Sequence, residues 1–210
     1  NSSVDFSSAG LIFSLTCPIS VNTPQRRCGD AFVHHLPEFT MFYDLTVVQF
    51  SKMLNNLAAI LGKAEQAALA KKYDVSVLLN ARLAPDQFNL IRQVQIACDT
   101  AKLGVARLAG VEDSAPKHHD QETSLPELQQ RIADTLAYLA TFTPEMLADA
   151  ATRHISQPRW EGKYLTGEEF ALQHAVPNLY FHVTTAYAIL RHNGVDVGKK
   201  DYLGAMPYKA

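Results

Sequence analysis

The residue best placed to do chemistry in this chain is His182. It sits in the run Asn178-Leu-Tyr-Phe-His182-Val-Thr-Thr-Ala-Tyr187, with Asn178 one helical turn earlier on the same face. An imidazole there serves as a proton acid or base, as a metal ligand, or as a core or pocket group that needs a hydrogen-bond partner. Asn178 is read either as that partner or as a cap at a helix start. Tyr180 and Tyr187 suit the edge of an apolar core, and the helix dipole is reason enough for His192 near the end of the run. A second apolar run contributes Gln93, Gln95 and Asp99 as polar groups able to face inward.

The metal option is tested by donor chemistry. A catalytic zinc takes three protein ligands, and neutral amides are poor substitutes for imidazole or carboxylate. His182 by itself is a weak and incomplete site. His182, Asp99 and His174 form an alternative set, whose convergence helical spacing does not give because Pro177 separates the two histidines. The His118-His119 pair lies in a polar stretch and is expected in solvent. Gly198-Lys199 lacks both the frame of a phosphate loop and the strand before it. Cys98 falls on an apolar helical face and reads as an inert small hydrophobe.

The elements that must position these residues are helices. Phe50, Met53, Leu54, Leu57, Ile60 and Leu61 recur at three- and four-residue steps, which predicts a helix over 43–72 with Asp44 at its start. Leu90, Val94, Cys98, Ala101, Val105 and Leu108 form the stripe of a second helix, expected to open at Pro85 and stop at Gly110. The polar stretch 111–123 is expected to be a loop. Ser124 and Glu127 have capping-box spacing ahead of Leu125, Leu128, Ile132, Leu136 and Leu139. Residues 153–165, with Pro158, Trp160 and Gly162, predict an irregular excursion or a small hairpin. Thr166 and Glu169 again have capping-box spacing, for a short helix reaching about Val176; Pro177 is expected to open the last helix and Gly194 to close it. The tail 195–204 is expected to pack over the bundle, with Tyr202 and Leu203 covering apolar surface. The fold class is therefore all-α, a four-helix bundle with an irregular excursion before the last helix.

Composition narrows the partners. With 210 residues the chain suits one globular domain, and its net charge of −2, without a basic face, argues against nucleic acid. Charged or amide residues interrupt each apolar run well short of the ~20 residues of a membrane span. Residues 1–40, rich in Ser, Thr and Pro and carrying Cys17 and Cys28, read as a disordered or non-native extension, with the domain over 41–210. Cys98 is then the one domain cysteine, which suits a reducing compartment, and the cytoplasm is expected.

Three stretches carry a family resemblance: Tyr43-Asp-Leu-Thr-Val, Arg82-Leu-Ala-Pro-Asp-Gln-Phe88 with Gln93 to Asp99, and Pro177 to Gly204. Together they resemble the family called domain of unknown function 1993, a branch of the DinB/YfiT-like superfamily of helical bundles. The resemblance implies a bundle whose better-known relatives hold a divalent metal, zinc or nickel, with one histidine on the second helix and two at H-x-x-x-H on the last. Here His182 takes the second histidine position of the last helix, Asn178 stands at the first, and the second helix has no histidine. The triad does not carry over. The resemblance also implies a homodimer. Two functions follow: a bundle with a small-ligand pocket around His182, Asn178, Tyr187 and one of Gln93, Gln95 or Asp99, or a metal-dependent transferase or isomerase acting on small thiol conjugates.

Overall fold

The computed structural model describes residues 38–209; the reading of 1–40 as an extension, with Cys17 and Cys28, lies outside them except for 38–40, which belong to a helix. In chain order the main elements are α1 (Glu38–Tyr43), α2 (Gln49–Lys71), α3 (Ser76–Leu79), α4 (Leu90–Ala109), α5 (Leu125–Leu139), β1 (His154–Ser156), β2 (Tyr164–Thr166), α6 (Gly167–Phe170), α7 (Val176–His192) and α8 (Lys199–Leu203). Helices α2, α4, α5 and α7 form the bundle. Both α4 and α2 pack against α5 and α7, so α2 and α4 face each other across the diagonal. The fold is all-α apart from the small β1–β2 hairpin.

The predicted stripes are the core. Phe50, Leu54, Leu57, Ile60 and Leu61 of α2 are fully buried against Leu90, Val94, Cys98, Ala101, Val105 and Leu108 of α4 and Leu128 and Leu139 of α5. Each phenylalanine, leucine, isoleucine or valine among them contributes about 1.5–3 kcal/mol relative to exposure. Leu136 is only half-buried, because Arg131 and Thr135 take that part of the inward face.

Several boundaries differ from the sequence expectation. The first helix begins at α1, upstream of Met41, and passes through a π-helical turn over Asp44–Val48, so exposed Asp44 is neither its cap nor in its first turn. The second helix starts at Leu90, not Pro85. Asn89 caps it by accepting from the Arg92 amide at 3.1 Å, while Pro85 lies in the turns after the unpredicted α3. Gly110, at φ 73, ends α4 as expected, and Arg153 Nε donates to the free Leu108 carbonyl at 3.0 Å. Ser124 and Glu127 form the expected capping box of α5.

Residues 154–166 form the hairpin, with His154 opposite Thr166 and Ser156 opposite Tyr164. Thr166 and Glu169 make their capping box, but no new helix opens at Pro177. The helical run continues from α6 through a π-helical turn, Ala171–Ala175, into α7. There the Val176 amide donates to the Ala171 carbonyl, five residues back. Proline lacks an N–H and its ring crowds the carbonyl four residues earlier; a wider turn placed just ahead of Pro177 accommodates both. Gly194, at φ 77, closes α7, with the Val195 amide on the Leu190 carbonyl at 3.1 Å. The tail packs on α2, where Lys63 pairs with Asp201 at 2.7 Å and Asn56 donates to the Tyr202 carbonyl at 2.9 Å. Val195 and Val197 are the buried tail residues, and Leu203 is exposed because α8 turns it outward.

Candidate functional site

The polar residues singled out along α4 and α7 separate into three places. The first is His182, 7% exposed, whose Nδ1 lies 2.8 Å from Gln93 Oε1. An amide oxygen only accepts, so Nδ1 carries the proton and Nε2 holds the lone pair. The Gln93 amide nitrogen donates to the Phe88 carbonyl at 3.0 Å, which orients it for this role. Burial, with a smaller contribution from the Arg92 charge, pushes the His182 imidazole down to about 4. It is neutral at neutral pH.

Asn178 is neither the partner of His182 nor a cap. Its amide donates to Thr100 Oγ1 at 2.7 Å, tying α7 to α4, and because the helix continues upstream no cap is needed there. Tyr187 stands with the tail: its hydroxyl reaches the Val197 carbonyl at 3.5 Å and its ring meets Tyr202 edge-on at 5.9 Å. The structure does not bring it to His182.

The second place is a charge network around Arg131, which sequence reading missed. This residue is 2% exposed, and its guanidinium donates to Asp99 at 2.8 Å, Asp120 at 2.7 Å and Glu122 at 2.9 Å. It also donates to the Gln95 carbonyl at 3.3 Å. Gln95, through its own side chain, donates to Glu122 at 2.8 Å; Arg92 pairs with Asp120, and buried Lys102 with Asp99 at 2.9 Å. Burial raises the carboxyl groups of Asp120 and Glu122, but hydrogen bonds outweigh it, to Asp120 from Arg92 and Arg131 and to Glu122 from its own backbone amide, Arg131 and Gln95, and both end below their ordinary values. Gln95 and Asp99 are thus committed to holding loop 111–123 on the bundle. A signal was available: Arg131 falls at core spacing from Leu128 and Thr135.

His118 belongs to this network. It is half-buried, not in free solvent, with Nδ1 at 2.6 Å from Lys102 Nζ, and burial followed by the Lys102 charge lowers its pKa. His119 is exposed as expected. Cys98 is fully buried, and that burial raises its thiol to about 12, which leaves it inert.

The third place is a cavity of 320 Å³ between α4, the excursion and the π-helical turn before α7. Asp99, Thr100 and Leu103 of α4, His174 and Asn178 of the last helical run, and Gln157 of the excursion line it. His174 is held by rings: Phe170 stacks on it at 5.2 Å and Trp160 meets it edge-on at 5.5 Å. Burial first, then the charges of Arg159 and Arg107, lowers its pKa. His182 does not line the cavity.

The three-histidine metal site implied by the superfamily does not fit these residues. At the corresponding positions the donors are one imidazole, with Nδ1 engaged by Gln93, and the amide of Asn178, engaged by Thr100. Of the set His182, Asp99 and His174, the last two both line the cavity and His182 does not, and among the described residues no three His, Cys, Asp or Glu side chains are grouped to hold a metal ion. No described helix is long and apolar enough to cross a membrane.

Comparison with known proteins agrees with the fold. Residues 42–203 match the model of a family described as Domain of unknown function (DUF1993). A crystal structure of a protein described as a DinB family member, from Shewanella denitrificans, is similar to this chain. The two are 72% identical, over 82% of this chain and 97% of that one, with a TM-score of 0.80. No curated protein matches the chain.

Proposed function

The chain belongs to the family of domain of unknown function 1993, with a DinB-like fold, and from that premise we propose that it is a small-molecule-binding bundle that works without a three-histidine metal. One observation carries this reading. The polar groups of the inherited metal positions are bonded to α4, His182 to Gln93 and Asn178 to Thr100, while a cavity with mixed polar and apolar walls opens a turn away, sharing Asn178 and Asp99 with the expected pocket. In this reading the ligand pocket is the cavity lined by Asn178, one turn from His182, and His182 with Gln93 braces the α4–α7 seam that forms one of its walls.

Fragment screening of the full chain by amide NMR tests this. Shifts should cluster at Thr100, Gly104 and Asn178, and Asn178→Leu should abolish them. Binding that never perturbs this cluster would sink the reading.

The alternative, a metal-dependent transferase or isomerase acting on small thiol conjugates, has one observation on its side. His182 Nε2 keeps its lone pair, because the proton sits on Nδ1, which donates to Gln93. Elemental analysis of protein purified without chelators separates the two. About one zinc or nickel per chain, lost in His182→Ala, would favour the metal enzyme. A cytoplasmic location, and a homodimer that covers exposed Phe88 and Phe181, complete the proposal. Sedimentation velocity checks the dimer, and a monomer across the micromolar range would remove that part.

A further inference from the structure

Resting on the cavity reading above, we infer that the cavity takes a small carboxylate-bearing molecule, with its carboxylate received by Arg159, His174 and Gln157. Two residues of the cavity lining carry donors that lack acceptors. Nε2 of Gln157, a residue 9% exposed, and Nδ1 of His174 are both buried without a hydrogen-bond partner among the described residues. A buried unmet donor costs about 1–3 kcal/mol, so two such donors on residues that line one cavity call for an acceptor.

The donor role of His174 follows from its neighbour. Its Nε2 lies 2.9 Å from a terminal nitrogen of Arg159. A guanidinium only donates, so Nε2 accepts and Nδ1 carries the proton. Arg159 itself stands at the rim and makes no ion pair with a described carboxylate. The other charges on the wall are already answered: Asp99 by Arg131 at 2.8 Å and Lys102 at 2.9 Å, Arg107 by Glu112 at 2.6 Å. The guanidinium fork of Arg159 is the group left for an incoming anion, and its geometry suits a carboxylate. Ile96 and Leu103 supply an apolar wall for the rest of the molecule. The volume of 320 Å³, that of about ten waters, suits a small molecule.

Trp160, the one tryptophan of the chain, touches His174 and so reports occupancy through its fluorescence. The full chain is titrated at neutral pH with benzoate and with its uncharged isostere benzamide. Benzoate should bind saturably and at least about tenfold more tightly. Arg159→Gln should remove most of that preference while leaving the melting temperature unchanged. Equal affinities for the two probes would overturn the carboxylate inference and leave the cavity as a ligand site. A preference that persists in Arg159→Gln would overturn it as well. Binding of neither probe would also overturn it, and the cavity reading would then be decided separately by the fragment screen.

Discussion

His182 donates from Nδ1 to Oε1 of Gln93 at 2.8 Å, joining α7 to α4 through two side chains that are both nearly inaccessible to water. This bond sets the histidine's tautomer, with the proton on Nδ1 and the lone pair on Nε2. It also makes each residue costly to change alone.

Gln93→Leu should lower stability by about 1–3 kcal/mol, because it leaves a buried N–H without an acceptor. Gln93→Leu combined with His182→Leu should recover part of the loss, since neither polar group then remains. Urea denaturation of the two variants checks this. A double variant no more stable than Gln93→Leu alone would contradict it.

Acid should weaken the fold through His182. The unfolded chain binds a proton as pH falls below the ordinary 6.5, whereas the folded chain binds it only near 4. Stability is therefore full above pH 6.5 and declines as pH falls towards 4, by on the order of 3 kcal/mol. Asp120 and Glu122, whose folded pKa values are lowered, add stability above their ordinary range that is lost as pH falls through the lowered values. Denaturant midpoints measured between pH about 7.5 and 4 should show the decline, and His182→Phe should flatten its upper part. An unchanged slope in that variant would assign the decline elsewhere.

Arg131→Met should cost about 3–5 kcal/mol, because Asp99, Asp120 and Glu122 would lose their shared cation. Arg131→Lys should rescue little, since one ammonium cannot reproduce the forked contacts. Hydrogen exchange should show loop 111–123 loosening first; loss of protection confined to α5 would place the role of Arg131 elsewhere.

Gly167→Ala should damage the junction between hairpin and helix. A Cβ at this position would come within 1.7 Å of the Ala150 carbonyl oxygen, which is backbone and cannot turn away. Overpacking of this kind costs about 1–3 kcal/mol or more. A melting temperature equal to that of the parent would show that the segment around Ala150 can shift.

Local signals foretold the helices and their ends. The apolar stripes of α2, α4 and α5, the boxes Ser124–Glu127 and Thr166–Glu169 and the stops at Gly110 and Gly194 depend on residues within a few positions of each other. The start of α4 was missed because Pro85 and Asn89 are both acceptable helix openings, and the choice of Asn89 follows from its bond to the Arg92 amide. Continuity through Pro177 was missed because a π-helical turn leaves no mark in residue type.

The residues of this sequence determine a four-helix bundle of a known family and single out His182 as its inward histidine, since periodicity, capping and motif are local and additive. Which groups meet is a matter of tertiary structure. Gln93 reaches His182, Asn178 turns to Thr100, Gln95 and Asp99 serve Arg131, and the excursion brings Gln157 and Arg159 to His174. Each of these pairings depends on the rotation of one helix against another or on where a loop returns, and a shift of one residue in helical phase would change every partner.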